Sequence, residues 1–369
     1  MKVAIIAPLV SAIREPQRGG SQAFVSELAR GLVARGHQVH LYAASGSRVA
    51  GVQVIDTGVD HRTLSATLYR ASGAAAGGSD VADAAFAGVY AAVRETQYDV
   101  VHNHAFDAPA ITRATSVRAP VIHTLHLPPD TQVAGALRQA AARNGSLTVA
   151  CVSARQASSW RRIVRVDAVL PPYVPTTLID FSPAPGHGAV FAGRLSPEKG
   201  AVEAIEIARA AGIRLDLYGD PYDDAYARAL IDPRRSERGV VVHASIPQRT
   251  LWKVMARAAV VLCPARWEEP FGMVAAEAQA CGTPVVAFRR GALEEVILDG
   301  VTGFLVAPDD VRAAAEAVRR VSALSRSACR VHAERDLDLE RSLDAHEQLY
   351  REVVGSSAVT GSREEAVRG

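Results

Sequence analysis

The chain has 369 residues, which is more than one ordinary domain core requires and predicts two domains. Hydrophobic residues make up 49% and charged residues 22% of the sequence, a balance typical of globular proteins. The formal net charge of +2 gives no reason to expect a nucleic acid as a partner. The start, MKVAIIAPLV, lacks the features of a signal peptide, and no run approaches the roughly 18 apolar residues of a membrane span. We therefore expect a cytoplasmic protein without an integral membrane segment.

The first half of the chain alternates between short apolar runs and amphipathic segments. Such alternation predicts a parallel sheet covered by helices, so that residues 1–170 form an amino-terminal Rossmann-like domain. The predicted elements are a strand at 2–7, a helix at 21–36, and strands at 38–43, 99–104, 120–126 and 147–153.

A change of composition separates the two halves. Five prolines mark residues 171–187 as a linker. A second strand–helix alternation follows and predicts another Rossmann-like domain over 188–330, facing the first across a cleft where such sheets bind ligands. We expect helices over 331–354 to pack back on the amino-terminal domain and residues 355–369 to form a flexible tail.

The stretch EEPFGMVAAEAQACGTP contains Glu269 and Glu277, separated by a Pro-Phe-Gly turn and the start of a helix. Glu277 lies among apolar residues, where an unpaired carboxylate would be costly to bury. Two carboxylates around an anion site could bind the hydroxyl groups on either side of a diphosphate, as a nucleotide sugar presents them. Alternatively, both glutamates merely stabilise the helix terminus through its dipole. The backbone N–H groups that would form the anion site are those of Gly272, Met273 and Val274.

A second stretch, AGRLSPEKG, places Arg194 and Lys199 in a tight loop after a predicted strand. Two cations at the carboxyl end of a strand suit a diphosphate and would neutralise its charge without a metal ion. The alternative is a solvated loop. Further upstream, Gly19 and Gly20 precede the first helix, where glycine allows close approach of a ligand, although a plain turn explains the pair equally well.

Histidines end two of the predicted strands. A metal cluster is one interpretation, but the spacing lacks cysteine or acidic ligands. We favour a buried structural role for His102 and His123, and we expect His126 to point into the cleft. The four cysteines are scattered without a CxxC pair, which favours reduced thiols and argues against a zinc site. The histidines are His102, His104, His123 and His126, and the cysteines are Cys151, Cys263, Cys281 and Cys329.

Taken together, these segments resemble the retaining glycosyltransferases of family four, which have the GT-B fold of two Rossmann-like domains facing a cleft. The resemblance rests on GGSQAFVSELARGLVARGHQV, DVVHNH, PVIHTLH, FAGRLSPEKG, EEPFGMVAAEAQACGTPVVA and DGVTGFLVAPDD. It implies a hexosyltransferase that moves a sugar from a nucleoside-diphosphate sugar to an acceptor hydroxyl with retention of the anomeric configuration. A UDP-sugar is the expected donor, and a GDP-sugar is the alternative. It also implies that the leaving diphosphate takes the acceptor's proton, and that neither a metal ion nor a cofactor is needed.

The same resemblance implies a role for each matching residue. In the family pattern Glu277 binds the ribose hydroxyls and Glu269 those of the transferred sugar. The diphosphate is held by the side chains of Arg194 and Lys199 and by backbone at Gly19, Gly20, Met273 and Val274, with Phe271 and Gly272 forming the turn and His126 lining the site near the transferred sugar. Of these, His126, Glu269, Arg194 and Lys199 are the expected catalytic residues.

The chain departs from the family pattern at several positions. The first departure concerns the hinge, and the others bear on the nucleotide-base or sugar pocket. They are Pro172 to Pro175 in place of an Asn-Gly-Val-Asp turn, Ser245 in place of Gly, Pro264-Ala265 in place of Pro-Ser, and Arg290-Gly291 in place of Gly-Gly.

The acceptor would be recognised by loops at 8–20 and 58–86, which carry no interpretable motif. We expect a small soluble alcohol, such as a sugar, a cyclitol or a natural product, and a role in natural product biosynthesis. Trp160 beside Arg161 and Arg162 leaves a peripheral membrane helix and a lipid acceptor as an alternative, although we favour an ordinary solvated helix. A nucleotide-sugar-binding protein without transferase activity is the other alternative. A nicotinamide dehydrogenase is disfavoured because no G-x-G-x-x-G follows the first strand.

Overall fold

A computed structural model describes residues 1–61, 64, 79–143, 147–222 and 224–368. The chain forms two compact units. Unit 1 comprises Met1–Arg14, Ser21–Pro171 and Ser342–Gly369, and unit 2 comprises Glu15–Gly20 and Pro172–Arg341. Each unit is built on a parallel sheet with helices around it, which confirms the predicted pair of Rossmann-like domains.

The described part of unit 1 contains a seven-stranded sheet. The first strand, KVAII, is apolar on both faces, as expected for a central parallel strand. The strand order is β3-β2-β1-β4-β5-β6-β7, so the order reverses between β1 and β4, the point at which such sheets bind ligands. The strands are β1 (Lys2–Ile6), β2 (Gln38–Ala43), β3 (Gln53–Asp56), β4 (Val100–Asn103), β5 (Val121–Leu125), β6 (Leu147–Cys151) and β7 (Ala168–Val169).

The helices of unit 1 follow the apolar spacing of the sequence. In the first helix Phe24, Leu28 and Leu32 recur every fourth residue and are fully buried, and Gly36, with a φ of 84°, lies just beyond its end. Phe86 and Tyr90 anchor the second helix in the core beside the sheet. The helices are α1 (Gly20–Ala34), α2 (Ser79–Arg94), α3 (Ala108–Thr112), α4 (Thr131–Arg143) and α5 (Ala154–Trp160).

Unit 2 repeats the design with a six-stranded parallel sheet in the order β10-β9-β8-β11-β12-β13. Its core is an apolar cluster that includes Ile205, Leu215, Leu217 and Val318. The strands are β8 (Ala189–Ala192), β9 (Leu215–Tyr218), β10 (Val240–His243), β11 (Val260–Cys263), β12 (Val285–Phe288) and β13 (Gly303–Val306). The helices are α6 (Ala201–Ala211), α7 (Asp224–Tyr226), α8 (Gln248–Arg257), α9 (Met273–Ala280), α10 (Leu293–Val296), α11 (Val311–Arg320) and α12 (Arg326–Asp336).

The last helix, α13 (Leu339–Arg368), returns the chain to unit 1. Its Leu343 packs so closely against α1 that a Cβ on Gly31 would lie 2.6 Å from Leu343 Cδ1. The hydroxyl of Tyr350 lies 2.7 Å from Nδ1 of His102, which is in β4. The last helix therefore completes the core of the amino-terminal unit. Among the described helices, none is both long enough and apolar enough to cross a bilayer.

Several boundaries differ from those expected. Residues 172–187 belong to unit 2, where the Val174 N–H donates to Leu337 O at 2.9 Å, so this proline-rich segment is packed. Helix α13 continues to Arg368, beyond the tail expected from residue 355, because no proline interrupts that segment. Most of the loop expected at 58–86 lies outside the described residues.

Candidate functional site

The turn before α9 depends on Gly272. Its φ of 101° is a left-handed conformation that favours glycine, and a Cβ there would lie 2.7 Å from Leu293 Cδ2. Gly272 O accepts the first helical hydrogen bonds, from the N–H groups of Ala275 and Ala276 at 3.0 and 3.2 Å. The N–H groups of Met273 and Val274 are therefore those that a helix start leaves for a ligand. Both residues are half-buried.

Glu277 lies one turn into α9 and is 5% exposed. Its Oε1 accepts a hydrogen bond of 2.7 Å from Nε2 of Gln248, the first residue of α8. A neutral amide donor satisfies a buried carboxylate without cancelling its charge. Glu277 is thus held as a hydrogen-bond acceptor beside the helix start.

Lys199 and Glu269 form an ion pair, with Lys199 Nζ 2.8 Å from Glu269 Oε2. The same oxygen accepts a hydrogen bond of 2.7 Å from Nε1 of Trp267. The Trp267 ring also lies beneath the ammonium group, 4.7 Å from Nζ to the ring centroid. One side chain therefore orients both members of the pair. Trp267 is not among the site residues predicted from the sequence. Its position two residues before Glu269 is the signal in the sequence that could have indicated its role.

Arg194 shares the loop of Lys199 but points to other partners. Its Nη2 lies 3.2 Å from Glu198 Oε1, and its guanidinium lies over the ring of Tyr222 at 4.4 Å. Ser196 also donates to Glu198 Oε1, at 2.7 Å. The arginine is thus held within its loop by a carboxylate that could release it to a ligand carrying more negative charge.

The loop that carries Arg194 and Lys199 packs against the residues that follow β11. Glu269 lies in the loop after β11, which in turn packs against Gly291. A Cβ on Gly200 would lie 1.9 Å from Pro264 O, and a Cβ on Gly291 would lie 2.2 Å from Glu269 O. Burial and the Glu269 and Glu277 carboxylates together raise the pKa of the Cys263 thiol to about 12, although Lys199 acts to lower it. All three charged side chains therefore surround the same strand end.

The segment Glu15–Gly20 belongs to unit 2 rather than to the unit that contains the rest of α1. It ends at Gly19 and Gly20, and a Cβ on Gly20 would lie 3.2 Å from Met273 Sδ. Gly20 therefore lies beside the start of α9. Phe271 is 5% exposed and packs on Tyr173 with the ring centroids 5.8 Å apart, so it stabilises the turn from within.

Two family profiles match successive halves of the chain. The profile described as Glycosyltransferase Family 4 matches residues 18–178, and the one described as Glycosyl transferases group 1 matches residues 186–334. The chain belongs to the group 1 glycosyltransferases of family 4.

Several known glycosyltransferases and their structures are similar to this chain over most of its length. D-inositol 3-phosphate glycosyltransferase of Acidothermus cellulolyticus is 28% identical over 87% of this chain and 82% of its own. The structure of sucrose-phosphate synthase from Thermosynechococcus elongatus matches 96% of this chain and 99% of its own, with a TM-score of 0.76 at 20% identity. HepE of Anabaena in complex with UDP and glucose matches 95% of this chain and 99% of its own, with a TM-score of 0.72 at 19% identity. At these identities, the two structures show the GT-B fold alone.

His126 is the one predicted site residue of the glycosyltransferase that lies in unit 1. It follows β5 and is 8% exposed, and its Nε2 lies 2.8 Å from His104 Nδ1. Burial lowers the pKa of His126 to about 3, so the ring is neutral at physiological pH. A neutral imidazole can donate or accept a hydrogen bond but does not bring a positive charge to a substrate.

Three further histidines, His102, His104 and His346, form a buried cluster with His126. The rings of His102 and His104 are 4.0 Å apart, and His346 of α13 lies 5.5 Å from His102. His102 bonds Tyr350 and Thr124, each at 2.7 Å, as a buried structural histidine should. Within the described residues, no group of three or more His, Cys, Asp or Glu side chains is placed to hold a metal ion.

Arg290, which replaces the first glycine of a common Gly-Gly pair, contacts two neighbouring loops, at Arg266 and at Asp309. Its guanidinium is paired with Asp309 and lies 3.4 Å from Arg266 O. Gly291 keeps the left-handed conformation, with a φ of 59°, that its contact with Glu269 requires. The departure from the family pattern thus adds a surface ion pair without changing the backbone that positions the carboxylate.

Trp160, considered above as part of a membrane-surface helix, is 1% exposed. Its Nε1 donates a hydrogen bond of 3.0 Å to Leu127 O. The indole is therefore part of the core of unit 1 and is not available to insert into a lipid surface.

Proposed function

We propose that this glycosyltransferase uses a nucleoside-diphosphate sugar as donor, with a UDP-sugar preferred over a GDP-sugar. The observation that carries the proposal is the grouping of Lys199, Glu269 and Glu277 around the start of α9. A diphosphate fits the helix start and the two cations of the adjoining loop. A carboxylate on each side of that anion site fits the hydroxyls of the ribose and of the transferred sugar. The neighbouring HepE structure, which holds UDP and glucose, supports the same donor class.

In the proposed complex Glu277 binds the ribose and Glu269 the transferred sugar. Arg194 and Lys199 hold the diphosphate, and both would exchange a carboxylate partner of the free enzyme for phosphate oxygens. Two positive charges stabilise the departing diphosphate as its negative charge grows, so the reaction needs neither a metal ion nor a cofactor. The leaving diphosphate takes the proton of the attacking hydroxyl on the same face of the sugar, and the anomeric configuration is retained.

The proposed acceptor is a small soluble alcohol, such as a sugar, a cyclitol or a natural product. A relative named for an inositol phosphate supports the cyclitol among these. The buried position of Trp160 removes the main feature that favoured a lipid acceptor. We also propose a cytoplasmic location, which the scattered spacing of the four cysteines, without a CxxC pair, supports.

A panel of UDP- and GDP-sugars with sugar and cyclitol acceptors, at neutral pH and in excess chelator, tests the proposal. We expect donor-dependent transfer, or slow donor hydrolysis without an acceptor, and a product whose anomeric proton coupling matches that of the donor. Transfer that stops with chelator and returns with Mg²⁺ or Mn²⁺ would refute the metal-independent mechanism. A product of inverted configuration would refute retention, and binding of nucleotide sugars without hydrolysis or transfer would indicate the binding-protein alternative.

A further inference from the structure

Gln248 connects two parts of the candidate site. It is the first residue of α8, directly after the N-cap residue Pro247. Its Nε2 donates to Glu277 Oε1 at 2.7 Å. Its backbone N–H donates to Glu15 Oε2 at 3.0 Å, at the beginning of the segment that ends in Gly19 and Gly20.

Helices α8 and α9 are fixed to each other, which makes the Gln248 contact a defined one. Thr283 Oγ1 donates to Met255 O at 2.7 Å, and the Cys281 thiol lies 3.3 Å from Trp252 O. The first contact joins the last turn of α8, and the second its middle, to residues just beyond the end of α9. The amide of Gln248 therefore reaches Glu277 from a helix that is bonded to the end of α9, and at the residue whose backbone N–H donates to Glu15.

The chemistry of the amide decides what this contact does. A lysine at this position would neutralise the Glu277 carboxylate, and an acid would repel it. A glutamine gives one hydrogen bond and leaves the charge in place, so it sets the orientation of the carboxylate without reducing its strength as an acceptor. Orientation matters here because a vicinal diol offers its two O–H groups in a fixed geometry.

We propose that Gln248 is a positioning residue that orients Glu277 for the ribose diol of the donor nucleotide. The inference rests on the proposed function, because it assumes that Glu277 binds ribose. It assigns Gln248 to nucleoside recognition rather than to recognition of the diphosphate, which the loop of Lys199 and the start of α9 would bind. The affinity of the site for a ligand without ribose should therefore not depend on Gln248.

The test compares UDP and inorganic pyrophosphate by calorimetry on the full chain carrying Gln248→Met, Gln248→Glu or Thr250→Val. Methionine keeps the length of the side chain and removes the hydrogen bond. Thr250→Val is the matched control, because it changes a polar residue for an apolar one at an exposed position of the same helix. We expect Gln248→Met to weaken UDP about tenfold, as for loss of one hydrogen bond to a charged group. Gln248→Glu should weaken UDP more, and pyrophosphate affinity in Gln248→Met should stay within about twofold of wild type.

The outcomes separate this inference from the proposed function. If the wild-type protein binds neither UDP nor GDP, the proposed donor class is wrong. If it binds UDP and Gln248→Met binds it equally well, the inference is wrong while the donor class stands. Equal weakening of UDP and pyrophosphate would also overturn the inference, since it would indicate general damage to the anion site. A melting temperature of Gln248→Met close to that of Thr250→Val would show that the variant is folded.

Discussion

Replacing Glu277 by alanine should weaken nucleotide binding and slightly destabilise unit 2. The carboxylate is 5% exposed, so water screens its hydrogen bonds little. Losing hydrogen bonds to a charged group costs about 1.5–3 kcal/mol, which corresponds to a UDP dissociation constant about ten to one hundred and fifty times larger. Gln248 Nε2 also loses its acceptor. A loss of about 1 kcal/mol of stability would lower the melting temperature by roughly 2–4 °C for a unit of this size.

Glu269→Ala is the comparison that distinguishes the roles of the two carboxylates. The paired side chains of Lys199 and Glu269 are 24% and 14% exposed, so their ion pair contributes about 1 kcal/mol or less after screening. Removing Glu269 leaves Lys199 free to meet the diphosphate, and UDP affinity should stay within about threefold of wild type. Turnover should fall, because the transferred sugar loses a positioning contact. Calorimetry with UDP and initial rates on both variants measure this, and equal losses of UDP affinity would refute the assignment.

Three further predictions concern residues around this site and in unit 1. Gly272→Ala should lower the melting temperature more than Gly300→Ala, because both add about 1–2 kcal/mol of left-handed strain but only Gly272 meets Leu293 Cδ2; equal shifts would contradict this. Trp267→Phe keeps the ring beneath Lys199 and removes the N–H donated to Glu269, so kcat should fall severalfold with UDP affinity unchanged, and Trp267→Leu should also weaken UDP. The stability of unit 1 should be constant above about pH 6.5 and fall as the pH is lowered towards 4, because burial lowers the folded-state pKa of His123 to about 3 and that of His346 to about 4, so the unfolded chain binds more protons. Denaturant unfolding followed through Trp160 fluorescence, in a variant without the other two tryptophans, checks this last prediction; a flat profile between pH 7 and 5 would contradict it.

The apolar runs in the sequence predict most of the strands of both sheets, because buried parallel strands are nearly uniformly apolar. The sequence pattern does not predict strands β3, β7 and β13. All three lie at sheet edges, and β7 has only two residues, too few for a pattern to register.

Local sequence also placed Glu269 and Glu277 correctly around a turn and a helix start, since these are near neighbours along the chain. The partners of the two carboxylates were not predictable. Lys199 and Glu269 are 70 residues apart, and Gln248 and Glu277 are 29 residues apart. Such contacts are set by how the strands of unit 2 are ordered, and a single sequence carries no pattern that reports that order.

The return of α13 to unit 1 has a consequence for synthesis of the chain. The first part of unit 1 ends at Pro171, but the helix that contacts Gly31 and His102 begins its contribution only at Ser342. At the roughly 5–20 residues per second of ribosomal elongation, the intervening segment takes about 10–35 s to emerge. During this interval unit 2 can fold as a nearly continuous stretch, while the groove on α1 that receives Leu343 stays open. The nascent protein should therefore depend most on chaperones at the stage when its second unit is already folded.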